Sequence, residues 1–166
     1  MIRQVAVSDV NQIVEVLHQV KQDMFSKDID QWDEHYPNEK TIQEDLDKKQ
    51  AYIYSENGEV LAYMVLNQEY DIEYNDLNWS TPTPFVVMHR LFVKPTAQGK
   101  GISSQMIQYA EQYATENNFA SIRFDAYALN NTANAVYLKK GYAFVGTVQF
   151  RKGVFNCYEK GLKPSS

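Results

Sequence analysis

Along the chain, apolar positions recur first at helical and then at strand spacing. Ile2 to Val7 predicts a short strand. Ser8 is then an N-cap for a helix whose apolar stripe is Val10, Ile13, Val14, Leu17 and Val20, running to about residue 25. "SKDIDQWDEHYPNEK" breaks the pattern with Pro37 and many charges and reads as a loop, and a second short helix is expected over Lys40 to Lys49. "QAYIYS", the turn "ENGE" and "VLAYMVLNQ" predict a β-hairpin turning at Asn57-Gly58, and Val60 to Leu66, apolar on both faces, reads as a central strand. Residues 67 to 84 form a long, polar, aromatic-rich connection of the kind that is more often functional than idle.

Phe85 to Val93 is the next strand. From Gly101, a helical stripe of Ile102, Met106, Ala110 and Tyr113 follows. "ASIRFDAYA" alternates as a strand with Ile122, Phe124 and Ala126 on one face. Asn131 to Lys140 is a short helix stopped by Gly141, and "YAFVGTVQF" and "VFNCYEKGL" are closing strands around "RKG". The order is β-α-α-β-β-β-α-β-α-β-β: a mixed α/β (α+β) chain forming one domain over 1–166, with no internal repeat or linker.

Composition narrows the classes. With 44% hydrophobic and 22% charged residues, the chain reads as a soluble globular protein. A net charge of -5 disfavours nucleic acid or a membrane surface as partner. Cys157 is the single cysteine, so it forms no internal disulfide, and His18, His35 and His89 are scattered, so no metal site is expected. No secretory or membrane-spanning stretch stands out, which makes the cytoplasm the expected compartment.

The chemistry concentrates in two stretches. In "VKPTAQGKGISSQM", Gly99 and Gly101 flank Lys100 between a strand and a helix. Free N–H groups at a helix start favour an anion, glycines let a phosphate reach them, and Lys100 and Lys94 add positive charge. A tight turn would explain the glycines equally well. The spacing is neither a Walker A loop nor a Rossmann fingerprint. In "NNTANAVYLKKGY", Asn130, Ala133, Tyr137, Gly141 and Tyr142 follow N-x2-A-x3-Y-x3-G-aromatic.

Together, Val93-x-Pro95-x2-Gln98-Gly99-x-Gly101-Ile102 and the Asn130–Tyr142 pattern resemble the GNAT (Gcn5-related N-acetyltransferase) superfamily. Ser103 and Tyr142 depart from the family's usual Gly/Ala and Phe. The resemblance implies a mostly antiparallel central sheet flanked by helices, and acetyl-CoA as co-substrate. It implies that the backbone of Gln98, Gly99, Lys100, Gly101, Ile102 and Ser103 cradles pyrophosphate. Leu91, Phe92 and Val93 pair with the pantetheine amides like an added strand, and Asn130, with Ala133, meets the pantetheine arm, unless Asn130 only caps its helix. Tyr137 is then the general acid that protonates the departing sulfur.

No motif carries over a base. His89, in "VVMHRLF", is one candidate, since an imidazole titrates near neutrality; Glu69, Asp71 and Glu73 are weaker ones. An acyl intermediate on Cys157 is disfavoured because no partner base is near it in sequence. Two acidic, aromatic segments, one with Trp32 and Tyr36 and one with Glu69, suit a cationic amine as the small-molecule acceptor. An acyl-CoA sensor without catalysis, and acetylation of protein N-termini or lysines, are the competing readings. A monomer or homodimer is expected.

Overall fold

The computed structural model describes residues 1–163; residues 164–166, the end of the expected 1–166 domain, lie outside it. The strands and helices are β1 (Ile2–Gln4), α1 (Val10–Ser26), α2 (Glu39–Asp47), β2 (Ala51–Glu56), β3 (Glu59–Asn67), β4 (Phe85–Val93), α3 (Ile102–Glu116), β5 (Ser121–Tyr127), α4 (Asn131–Lys139), β6 (Ala143–Phe150) and β7 (Gly153–Gly161). Their order matches the expected one, and the strands form a seven-stranded, mostly antiparallel sheet in the order β1-β2-β3-β4-β5-β7-β6. No helix among the described residues is long and apolar enough to cross a membrane.

The chain divides into two compact units. The first comprises Met1–Leu66 and Arg90–Ile107. Its core is built on α1, where Val10, Ile13, Leu17 and Val20 are buried as their spacing requires. Val16 is buried as well, and Val14 lies half-buried at the margin. These residues meet Ile42 of α2 and the β2–β3 side chains Ile53, Tyr63 and Val65. Asn57 (φ 53°) and Gly58 (φ 78°) are both left-handed, which gives the β2–β3 hairpin the tight turn that matches strand twist.

The expected strand end and N-cap need correction here. β1 ends at Gln4, and Val7–Asp9 is a 3₁₀ turn. Asp9, not Ser8, organises it: the carboxylate accepts the Ala6 N–H at 2.7 Å and is gripped by Arg3 at 2.8 and 2.9 Å. Arg3 and the Ala6 N–H hold the Asp9 carboxyl below its usual range against the opposing effect of burial.

The second unit comprises Asn67–His89 and the chain from Gln108 onward. β4 and β5 pair in parallel over Phe85–Val87 and Ser121–Arg123, while β5–β7 and β6–β7 are antiparallel. The expected one-sided alternation of β5 does not hold. Ile122, Phe124 and Ala126 are buried, but so are Ser121, Arg123 and Tyr127. The connection 67–84 is the reason, because it covers the second face. The Arg123 guanidinium lies 4.0 Å from the Phe85 ring centroid and 4.9 Å from that of Trp79, and it donates to the Thr81 carbonyl at 2.8 Å. Buried Glu159 on β7 accepts the N–H and hydroxyl groups of both Ser80 and Thr81 at 2.8–3.2 Å. The long connection is thus strapped down rather than loose, and it carries a 3₁₀ turn at Ile72–Asp76.

Candidate active site

In the first unit, β4 leads through the 3₁₀ turn Pro95–Ala97 into the glycine loop and α3. Gly99 (φ 78°) and Gly101 (φ 79°) are both left-handed, and a Cβ at either would meet nothing within 4 Å. Backbone conformation, not crowding, therefore requires glycine, and the space a side chain would take stays open above the loop. α3 begins at Ile102, and its first intrahelical donor is the Gln105 N–H, bonded to the Gly101 carbonyl. No side chain among the described residues caps the Ile102, Ser103 and Ser104 N–H groups. Gln98 folds its amide onto the Val93 carbonyl at 3.3 Å, and Lys100 is exposed. A cradle of uncapped donors under two glycines, beside an ammonium group, fits a pyrophosphate.

β4 carries an irregularity that the sequence did not announce. Arg90 is left-handed (φ 51°) in mid-strand, a costly conformation for a residue with a side chain. Its guanidinium is fixed by Asp45 of α2 at 2.5 and 3.0 Å and donates to the Tyr36 hydroxyl at 2.9 Å. Tyr63 adds a hydroxyl bond to Asp45 at 2.6 Å. This network ties the loop between α1 and α2 to β4. Trp32 is half-buried and meets Phe92 edge-on at 5.9 Å, whereas Tyr36 stays 42% exposed. Trp32 therefore anchors the loop, and Tyr36 is the more accessible of the two. Leu91 is half-buried; Phe92 and Val93 are buried.

In the second unit, Asn130 is the N-cap of α4: its side-chain oxygen accepts the Ala133 N–H at 3.2 Å. Four residues on is Asn134, which sequence reasoning missed. Its amide donates to the Tyr127 and Asn130 carbonyls at 2.9 and 2.8 Å, and its oxygen accepts from the Tyr158 hydroxyl at 2.5 Å and from Asn156 at 3.1 Å. All its hydrogen-bonding capacity is used, so it locks α4 to the end of β5 and to β7. The signal was present as polar residues 130, 134 and 137 recurring on one helical face.

Tyr137 lies one turn beyond. Its ring packs on Phe124 at 4.5 Å and on Tyr158 at 5.7 Å, and it is 8% exposed. Its hydroxyl has no hydrogen-bond partner among the described residues. Burial, and then the charge of Asp125, push the phenol well above its ordinary range, so it keeps its proton at any physiological pH. Gly141 (φ 89°) closes the helix as its position suggests, with Tyr142 N–H bonded to the Tyr137 carbonyl and Gly141 N–H to that of Leu138.

His89 Nε2 lies 2.7 Å from the Asn67 side-chain oxygen and 3.0 Å from the Glu69 carbonyl. Both are acceptors, so Nε2 carries the proton, and a base role would fall to Nδ1. Glu69 is exposed and bonded to Asn67. Cys157 is fully buried, and its thiol is pushed up to about 12 by burial and then by Asp125, which removes it as a nucleophile.

The sequence profile of the acetyltransferase (GNAT) family matches residues 15–142. Several crystal structures share the fold. One is an acetyltransferase of the GNAT family from Streptococcus agalactiae 2603, 22% identical, covering 98% of this chain and 95% of its own, with a TM-score of 0.87. Another is yncA from Salmonella typhimurium, solved with its cofactor acetyl-CoA, 15% identical, covering 100% and 95%, with a TM-score of 0.74. A third is the ribosomal-protein-S18-alanine N-acetyltransferase from Escherichia coli, 11% identical, covering 100% and 96%, with a TM-score of 0.72. No curated protein sequence matches the chain. Fold and profile together define an acyl-transferring enzyme class. The chain belongs to the acetyltransferase (GNAT) family.

Proposed function

We propose that the chain, 1–166, acts as one catalytic domain: an acetyl-CoA-dependent N-acetyltransferase that moves an acetyl group directly to the primary amine of a small molecule. The observation that carries the catalytic part is Tyr137. It is buried, protonated and without a hydrogen-bond partner among the described residues, on a helix locked by Asn134. A binding protein without catalysis would need the glycine loop but no such phenol.

Acetyl-CoA, when bound, supplies an acyl thioester. The residues suited to hold it are Gln98 to Ser103, through the donors described above. Leu91, Phe92 and Val93 offer backbone for an added strand, since parallel pairing of β4 stops at Val87. Asn130 keeps its amide nitrogen for a ligand while its oxygen caps α4. Tyr137 Oη holds the proton that a departing sulfur takes. Tyr36 and Glu69 offer an aromatic face and a carboxylate to a cationic acceptor, and Trp32 fixes the loop that carries Tyr36. We expect a cytoplasmic monomer or homodimer.

The cofactor part is tested by thermal denaturation. A ligand at 100 times its Kd adds about 2.7 kcal/mol, a rise of about 5–10 °C for a chain of this length. Gly101→Glu should abolish the rise, since it puts bulk and negative charge in the cradle. Lys100→Glu, at an exposed side chain, should reduce it. An equal rise in all three proteins would place the cofactor elsewhere. The acceptor part is tested by thiol release with tyramine, spermidine, an alanine-terminated peptide and matched carboxylic acids. Tyr36→Ala should raise KM for the preferred amine. Preference for the peptide would move the acceptor to the protein class named for the E. coli neighbour.

A further inference from the structure

Beside the glycine loop, and wholly within the first unit, lies a cavity of about 470 Å³. That is within the range of about 300–1,000 Å³ usual for small-molecule sites. Its floor is apolar: Leu61 of β3, Ala97 of the 3₁₀ turn and Ile102 of α3. Leu61 reaches the floor through a bulge. Tyr54 stands opposite Ala62 and Ser55 opposite Val60, which leaves Leu61 as the extra residue. An extra residue of this kind re-aims the side chain it carries. The Leu61 carbonyl accepts the Lys94 N–H at 2.8 Å, so this wall is tied to the start of the glycine loop.

The rim carries both signs of charge. Glu56 and Glu59 stand opposite each other across the Asn57-Gly58 turn, where like charges repel. Glu59 is relieved by Lys94, whose ammonium lies 2.5 Å away. Glu56 has no ion pair or side-chain hydrogen bond among the described residues, and neither has Lys100, which lines the cavity from the loop. Tyr54 is half-buried at the same cavity, and its hydroxyl is likewise unbonded among the described residues. One uncompensated carboxylate, one uncompensated ammonium and one aromatic ring thus share an apolar floor. A purely anionic guest would meet the charge of Glu56, and a purely cationic one that of Lys100. A guest with both charges satisfies each.

We infer that this cavity binds a small zwitterion, a molecule of the amino-acid or betaine class whose cationic nitrogen and carboxylate are joined by a short aliphatic chain. The nitrogen lies at Glu56 and the Tyr54 ring, the chain on Leu61 and Ile102, and the carboxylate at Lys100. Lys100 is also the ammonium beside the pyrophosphate cradle, so one side chain answers to two anions. The zwitterion and acetyl-CoA therefore weaken each other's binding, and the coupling is equal in both directions. Only this antagonism rests on the acetyltransferase reading above; the site itself does not.

The probe is γ-butyrobetaine, whose quaternary nitrogen carries no hydrogen and cannot be acetylated, so turnover does not consume it. The purified full chain, with leucine and isoleucine methyl groups labelled for NMR, is titrated with the probe and with two one-charge controls, butyltrimethylammonium and butyrate. The Leu61 and Ile102 signals should shift saturably with the probe, and each control should bind about tenfold more weakly or worse. Glu56→Gln relieves the repulsion with Glu59, so the variant should fold. It should weaken the probe about tenfold while the acetyl-CoA thermal shift persists. At saturating probe, the Kd for acetyl-CoA should rise about fivefold or more and then level off. In Lys100→Gln that dependence on the probe should disappear.

An absence of shifts at Leu61 and Ile102, equal affinity for a one-charge control, or undiminished binding by Glu56→Gln overturns the site. A Kd for acetyl-CoA that climbs with probe and never levels off overturns it as well, because the cofactor then fills the cavity itself. A Kd that does not move overturns the antagonism. The expected methyl shifts without an acetyl-CoA thermal shift in the wild type would bring down the cofactor reading and leave the zwitterion site standing.

Discussion

Tyr137→Phe is expected to lower kcat about 10²–10⁴-fold while leaving the acetyl-CoA thermal shift intact. The substitution removes one oxygen that bonds to nothing among the described residues, so the fold should lose little. The ring remains to fill its place against Phe124 and Tyr158. What disappears is a proton held ready by burial: the phenol is raised far above its usual range, and the new side chain holds none. The reading is kcat at saturating amine and acetyl-CoA, with Kd for coenzyme A measured separately. A thousandfold fall in kcat with unchanged Kd assigns the proton to Tyr137. Wild-type kcat would reduce Tyr137 to packing and hand the sulfur's proton to water.

Asp45→Ala should destabilise the protein by about 3–5 kcal/mol, the usual cost of removing one partner from a buried ion pair. The Asp45 and Arg90 side chains are 6% and 14% exposed. Removal of the carboxylate takes the acceptor from the Tyr63 hydroxyl and from two of the guanidinium's three bonds, leaving Arg90 its bond to the Tyr36 hydroxyl. It also releases the left-handed Arg90 from the contact that holds it. For a chain of this length the loss corresponds to roughly 10 °C in Tm. The double variant Asp45→Leu/Arg90→Met should recover part of it, because no charge is then stranded. A single variant within 1 °C of wild type would show that the network contributes nothing to stability.

The contrast between these two residues shows where sequence reading succeeds. The place of Tyr137 on α4, just before the stop at Gly141, was legible because its neighbours recur at fixed spacing. The glycine loop was legible because left-handed backbone leaves few residue choices, and both glycines are indeed left-handed. The element order was legible from periodicity, since α1 and β3 bury the side chains their spacing selects. Arg90 and Asp125 were not legible. Each is polar and sits in an apolar or helical run, and its partner lies far off in the chain: Asp45 is 45 residues from Arg90, and Tyr74 is 51 from Asp125. Periodicity reports which face is buried but not which buried polar group finds its complement. The one-sided reading of β5 failed for the same reason. The covering residues Trp79 and Thr81 come from a connection with no pattern of its own.

The central claim is transfer of an acetyl group from acetyl-CoA to a primary amine. The direct measurement is simultaneous quantification of free thiol and N-acetylated product, with the wild type and Tyr137→Phe side by side over the amine panel. The account predicts equal amounts of thiol and amide from at least one amine, saturable in both substrates, and a rate at least a hundredfold lower in the variant. Thiol release without matching amide, or equal rates from the two proteins, would contradict it.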